Sequence, residues 1–333
     1  MNSRTLVRKT LEFEHAGRVP RHLWTLPWAS DHYPEELAAL RRDYPDDIES
    51  APAFLTRPLP TEGHPHEPGT FVDEWGCVFE NMQRGIVGEV KAPIVQDWND
   101  TGAVHIPVER LSIDPEKINA FCRESDRFVM SGTCARPFEQ LQFLRGTENL
   151  FMDLALQDNA LFAFLHRMHQ FYLDEMTRWA ETDVDALNFM DDWGTQQSLL
   201  ISPDMWRAVF KPLYKDYVEV AHAHGKKIFM HSDGNIRQIY PDLVELGVDA
   251  VNSQIFCMGL DELSRFAGSI TFWGEMDRQH LLVDAGPADV AAAVRDIHAN
   301  LYRNGGVIAQ CEFGPGAKPE NVRAVFATWD KLG

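Results

Sequence analysis

The sequence predicts an α/β fold: a single (β/α)8 TIM-type barrel with N-terminal loop insertions, taking residues 1–333 as one domain. Three observations predict it. Short apolar runs of strand length alternate with amphipathic helical stretches, in enough units to close a parallel barrel. The runs end in polar, titratable residues, which α/β proteins gather at the carboxyl ends of parallel strands. Neither G-x-G-x-x-G after the first strand nor G-x-x-x-x-G-K-[ST] occurs, which disfavours open dinucleotide-binding and P-loop sheets.

In chain order, residues 2–15 carry a helical pattern and 19–24 a first strand. The loop that follows holds Trp24, Pro27, Trp28, His32 and Tyr33. Residues 44–107 are rich in Pro and Gly, with short β-like pieces such as 69–79. They hold too few periodic apolar residues for a core of their own, so an insertion on the scaffold is expected. Helix is predicted over 114–123, with Asp114 as N-cap and Pro115 at the first position. A strand at 128–132 runs into Thr133-Cys134-Ala135-Arg136, and helices follow at 137–144, 147–156 and 159–182. The next strand, 185–190, ends in Asp191-Asp192-Trp193-Gly194. Ser202-Pro203 opens helix that continues in pieces to 224.

The apolar strand 227–230 then breaks off in His231-Ser232-Asp233-Gly234-Asn235. Alternate side chains of a strand share a face, so Phe229, His231 and Asp233 point one way. Helix is expected from about residue 236 to Gly247, a residue suited to the left-handed position after a helix. A buried strand at 248–251 ends in Asn252-Ser253-Gln254. A short helix at 261–267, a strand at 270–274 and a long helix at 287–303 follow. The last strand, 307–310, runs into Cys311-Glu312-Phe313-Gly314, and helix 319–329 closes the chain.

Composition narrows the partners. With a hydrophobic share of 44% the chain can bury a large core. No run of about 18 apolar residues is present, so no membrane helix is expected. The first residues lack a signal-peptide apolar segment, and five cysteines without C-x-x-C spacing argue against a disulfide framework. A reducing, cytoplasmic setting fits these features. A formal charge of −19 argues against nucleic acid and anionic lipid, and mildly against a polyanionic substrate. A small molecule is the expected partner, and a homodimer is left open.

The strand ends collect Trp24, Arg136, Asp191, Asp192, Trp193, His231, Asp233, Asn252, Gln254, Glu275, Asp277, Cys311 and Glu312. Each has a bland reading. A strand-end Asp caps the next helix, a lone Cys is a small buried hydrophobe, and loop tryptophans pack. Seven such ends around one mouth make an acid-rich funnel instead, suited to a divalent metal or to a cationic or neutral ligand. Whether Cys311 or Glu312 faces the mouth is a question of strand parity.

At these residues the chain resembles the uroporphyrinogen decarboxylase superfamily, nearly end to end. The marks are Val72-Asp73-Glu74-Trp75-Gly76-Cys77, Asp191-Asp192-Trp193-Gly194, Ile201-Ser202-Pro203-Asp204-Met205-Trp206, His231-Ser232-Asp233-Gly234-Asn235, Phe272-Trp273-Gly274-Glu275-Met276-Asp277 and Pro319-Glu320-Asn321-Val322-Arg323. The superfamily includes the haem-pathway decarboxylase and zinc-dependent methyltransferases that use corrinoid proteins. The decarboxylase's early Met-Arg-Gln-Ala-Gly-Arg-Tyr signature, whose arginines hold porphyrinogen carboxylates, is here Leu23-Trp24-Thr25-Leu26-Pro27-Trp28. Its late Gly-His-Gly histidine corresponds to Phe313.

The methyltransferase branch matches better. It binds zinc through His-x-Cys and a late Cys, which correspond to His231, Asp233 and Cys311. The resemblance implies a metal, zinc, on those three residues, and a corrinoid carried by a partner protein. Proton handling falls to Glu275 or Asp192, with His231 and Asp233 also as catalytic candidates. Substrate contacts fall to Trp24, Trp28, Asp73, Trp75, Arg136, Asp191, Trp193, Asn252, Gln254 and Glu312. If the metal is lost, His231 and Asp233 become an acid–base pair. A lyase on a small carboxylic acid, with Arg136 on the carboxylate, and a non-catalytic binding protein are the competing functions.

Overall fold

The computed structural model describes residues 1–332. In chain order its strands are β1 (Arg21–Thr25), β2 (Ile48–Ser50), β3 (Gly69–Val72), β4 (Val78–Asn81), β5 (Glu89–Val90), β6 (Phe128–Met130), β7 (Ala186–Met190), β8 (Lys227–Ser232), β9 (Ala250–Ser253), β10 (Thr271–Trp273) and β11 (Val307–Phe313). Eight of them form one parallel sheet in the order β1-β11-β10-β9-β8-β7-β6-β2, a nearly closed barrel ringed by helices. Strands β3, β4 and β5 form a small antiparallel sheet outside it.

Alternation along each strand divides the side chains between barrel interior and helix layer. Ile48, Phe128, Met130, Ala186, Phe229, Ala250, Trp273 and Ile308 pack together in the interior. The residues between them, such as Val129, Leu187, Phe189, Ile228, Met230, Phe272 and Ala309, join the larger core under the helices. Helix Ser3–Leu11 adds Val7 and Leu11 to the interior cluster and so plugs the amino-terminal end of the barrel. Arg4 and Arg8 clip it to the buried carboxylate of Asp185 at 2.9 and 2.6 Å, and Ser3 bonds Asp47 at 2.5 Å.

The barrel closes between β1 and β2 without a strand ladder. Asp47 N–H donates to the Arg21 carbonyl at 2.9 Å, and side chains supply the rest. Asp47 Oδ2 accepts the Arg21 N–H at 2.8 Å and Asp46 Oδ1 accepts the Leu23 N–H at 2.6 Å. Arg18 grips both oxygens of Asp47 at 2.6 and 2.7 Å.

The helix-cap signals hold: Asp114 accepts from Lys117 N–H, Ser202 from Met205 N–H, and Gly247 has φ 85°. Two expectations need correction. The stretch 44–107, read wholly as insertion, contains barrel strand β2, whose three residues are too short to show periodicity. The helix after β8 begins at Tyr240, because Ile236 and Ile239 are buried in a turn that precedes it. Strands β8 and β11 also outrun their apolar segments, since register pairs His231 with Asn252 and Trp24 with Glu312. No described helix is long and apolar enough to cross a membrane.

Candidate active site

His231 stands at the carboxyl end of β8, on the interior face that Phe229 begins. Its Nδ1 lies 2.6 Å from Asn252 Oδ1, and the amide nitrogen of Asn252 donates to the Trp273 carbonyl. That second bond sets which end of the amide meets the ring. The Asn252 oxygen can only accept, so Nδ1 carries a proton, and in a neutral imidazole Nε2 is then the atom left to offer a lone pair. Nε2 faces Asp192 Oδ1 at 3.5 Å and Asp233 Oδ1 at 3.8 Å. Asp233 Oδ1 is buried without a hydrogen-bond partner, while Asp192 Oδ1 accepts the Asp233 N–H at 2.9 Å. Each of the three side chains offers a ligand atom, all within 4.8 Å of one another. An aimed imidazole lone pair beside an orphaned carboxylate oxygen fits a divalent ion. Below them Trp24 packs on His231 at 5.4 Å and edge-on to Trp273 at 5.2 Å. Both indole N–H groups donate to Nδ1 of His22, at 3.3 and 3.2 Å. Burial lowers the pKa of His22 to about 4, so it is a neutral acceptor that closes the floor.

Arg278 organises the opposite wall. Its guanidinium meets Glu275 and Glu312 at 3.2 Å each, and it also pairs with Asp233. Glu275 is only 2% exposed, and burial, against the pull of Arg278, raises its pKa to about 8. An unfolded Glu titrates near 4.5. The folded state therefore binds the extra proton between those values, and the associated stability is lost as pH rises through 8. Metal-free protein is expected to lose about 2 kcal/mol of stability between about pH 6.5 and 8.5 from this group. Denaturant unfolding of wild type and Glu275→Gln checks it. A decline equally steep in the variant would assign the effect elsewhere.

A cavity of about 400 Å³ opens on Asp233, Glu312, Arg278 and Gln254. A second, of about 330 Å³, lies at the ends of β2, β6 and β7 and is bordered by Arg136, Ser131, Thr133 and Asn188. In its wall Arg110 holds Glu175 through two bonds of 2.6 and 2.8 Å and reaches Glu74 at 3.2 Å. Arg136 pairs with Glu139 at 3.2 Å, and burial raises the Glu139 pKa, with Asp192 adding to the shift.

The expected site residues divide. His231, Asp192, Asp233, Asn252, Glu275, Glu312, Trp24 and Gln254 gather at the mouth, and Arg136 borders the second cavity. Cys311 does not join them. It pairs in register with Leu23 and packs with Ala309 and Phe313 in the helix layer, so parity turns Glu312 inward and the thiol outward. Of the three expected zinc ligands, His231 and Asp233 therefore lie together and Cys311 apart, and the third side chain whose donor atom lies within 4.8 Å of theirs is Asp192.

Asp191 is fully buried, accepting from Glu139 N–H, in the first turn of helix Pro137–Arg145, at 2.7 Å and from Tyr214 OH at 2.6 Å. Trp193 stacks on Phe138 at 4.0 Å and Trp75 packs on Phe171 at 5.5 Å, both in the core. Asp73 bonds the N–H groups of Trp75 and Cys77, holding its own turn. Trp28 stacks on His32 at 4.5 Å and packs edge-on to Phe313. Sequence reading missed Arg278, Glu139 and the Arg110–Glu175 pair. Arg278 had a signal, three residues beyond Glu275 on an acid-rich strand end.

A family model described as uroporphyrinogen decarboxylase (URO-D) matches residues 73–332. Among proteins of curated function, none matches the sequence. Of solved structures, a methyltransferase from Methanosarcina mazei aligns over 100% of this chain and 99% of its own, with TM-score 0.69 and 16% identity. A B12-independent methionine synthase from Shewanella sp. W3-18-1, in complex with selenomethionine, aligns over 66% of this chain and 65% of its own, with TM-score 0.43 and 9% identity. At these identities the first alignment speaks for the fold.

Proposed function

This chain belongs to the uroporphyrinogen decarboxylase family, and from that premise we propose that it is a methyltransferase, one barrel domain moving a methyl group between a small substrate and a corrinoid protein. The observation that carries the reading is the centre itself. His231 Nε2 is turned by Asn252 toward two carboxylates, beside a cavity sized for a small molecule. The full-length likeness to a methyltransferase supports it. So does the acidity of the mouth: Arg278 is engaged by Asp233, Glu312 and the carboxyl group of Glu275, Arg136 is engaged by Glu139, and β1 ends in Leu23, Trp24 and Thr25. A substrate carrying many carboxylates would meet like charge there.

A divalent ion on Asp192, His231 and Asp233 would supply Lewis-acid polarisation of the methyl-bearing heteroatom. The remaining roles fall to the chain's own groups. Asn252 holds the His231 tautomer, and Arg278 holds Asp233 by one oxygen so that Oδ1 stays on the His231 side. Glu275, protonated at neutral pH, gives its proton to the heteroatom as the methyl group departs. Trp24 covers the floor and keeps water from below.

The test mixes purified protein with free cob(I)alamin and three methyl-donor classes: methyl ethers, methylamines and methyl thioethers. Methylcobalamin should form with one class and not without protein. A lyase on a small acid is the second reading, drawn from Arg136 at the edge of the second cavity. Release of CO2 from a small acid, with no methyl transfer from any class, would establish that reading instead.

A further inference from the structure

We infer that the metal centre is free of thiolate: a divalent ion held through one imidazole and two carboxylates, those of His231, Asp192 and Asp233. The inference rests on the methyltransferase reading for its use but on geometry for its ligands. Among the described residues, this is the group of His, Cys, Asp and Glu side chains whose donor atoms converge to metal-binding distance, and it holds no sulfur. The cysteines that follow barrel strands are otherwise placed, and Cys134 turns its thiol to the Ala135 carbonyl at 3.9 Å. Cys311 is fully buried in the helix layer, and Cys257 turns its thiol to the Gln254 carbonyl at 3.1 Å.

Two observations beyond the proximity of these side chains point to a ligand. The Asn252 oxygen holds the proton on Nδ1 and leaves the Nε2 lone pair facing the pair of acids. Asp233 Oδ1 is buried with nothing to accept from, although its other oxygen is taken by Arg278. A buried, unpaired carboxylate oxygen is costly unless a cation or proton meets it. Nε2 and Oδ1 lie 3.8 Å apart, close enough for one ion to meet both.

Donor chemistry then sets the class of ion. Imidazole and carboxylate accept manganese, iron(II), cobalt and zinc alike, whereas thiolates favour zinc and other soft ions. A centre without sulfur therefore loses the thiolate preference for zinc and exchanges its ion more freely than a Cys-bearing one. Three protein ligands leave positions for substrate.

Cobalt(II) reports the ligand set directly, because thiolate coordination produces an intense near-ultraviolet sulfur-to-cobalt charge-transfer band that imidazole and carboxylate do not. Metal-stripped full-length protein, titrated with cobalt(II), should bind about one equivalent, matching one three-ligand centre, without that band. Cys311→Ala and Cys257→Ser should leave the spectrum unchanged. His231→Ala and Asp192→Ala should each weaken binding at least about tenfold, as expected for loss of a direct ligand. Asp233→Cys should create the charge-transfer band, a gain that a misfolded variant cannot give. A charge-transfer band in the wild type that Cys311→Ala abolishes would overturn the inference. So would no cobalt binding at all. Neither outcome touches the methyl-transfer assay with free cob(I)alamin, which decides the underlying reading on its own.

Discussion

Asp47→Ala is expected to cost the fold about 3 kcal/mol, the range for breaking a buried, multiply hydrogen-bonded ion pair. Asp47 is 1% exposed and accepts from Ser3, from both arms of Arg18 and from the Arg21 N–H. Truncation leaves the Arg21 N–H without a partner at the place where β1 and β2 lack a ladder. It also removes the Ser3 bond of the helix Ser3–Leu11, which Arg4 and Arg8 still clip to Asp185. Asp47→Asn keeps one acceptor for the Arg21 N–H but loses the charge on Arg18, so about half the loss is expected. Urea unfolding with a linear extrapolation reads both. A loss below about 1 kcal/mol for Asp47→Ala would show that the seam is held by packing alone.

Most barrel strands were legible because their apolar runs are bounded by turn residues and by helices with clear caps. Asp114-Pro115, Ser202-Pro203 and Gly247 each mark a helix end by a backbone requirement that the sequence displays. Strand β2 was not legible, since Ile48–Ser50 offers three residues and its role is set by pairing with β6, 80 residues later in register. At the site, polar strand ends found the mouth but not the direction of each side chain. Asp191 and Asp192 are neighbours with identical chemistry. One faces Tyr214 in the core and the other faces His231, and only the pleat decides which. The same parity exchanged Cys311 for Glu312. Tryptophans misled for a different reason: a large aromatic near a strand end is drawn equally to a pocket wall and to the helix layer, and Trp75 and Trp193 took the layer. Arg278 lies beyond its strand in an irregular segment, and its three partners come from three different strand ends. No local pattern could announce that convergence.

His231→Ala is expected to lower methyl transfer by about 10³-fold, since it removes the sole nitrogen donor and the group that faces both carboxylates. Asn252→Ala tests how that imidazole is held. Asn252 touches His231 Nδ1 and the Trp273 carbonyl, so its loss frees the ring to rotate or to carry its proton on Nε2. A loss of about 10- to 100-fold is expected, the usual range for removing the group that orients a ligating histidine. Because Asn252 acts through His231, the two effects should not add. The double variant should sit at the level of His231→Ala alone, within about twofold. Assays run well below the unfolding temperature of each variant keep the lost Trp273 carbonyl partner from entering as instability. If the double variant falls a further 10-fold or more, Asn252 serves the reaction by a contact of its own. In that case the tautomer argument, and with it the direction in which His231 Nε2 is aimed, would have to be given up.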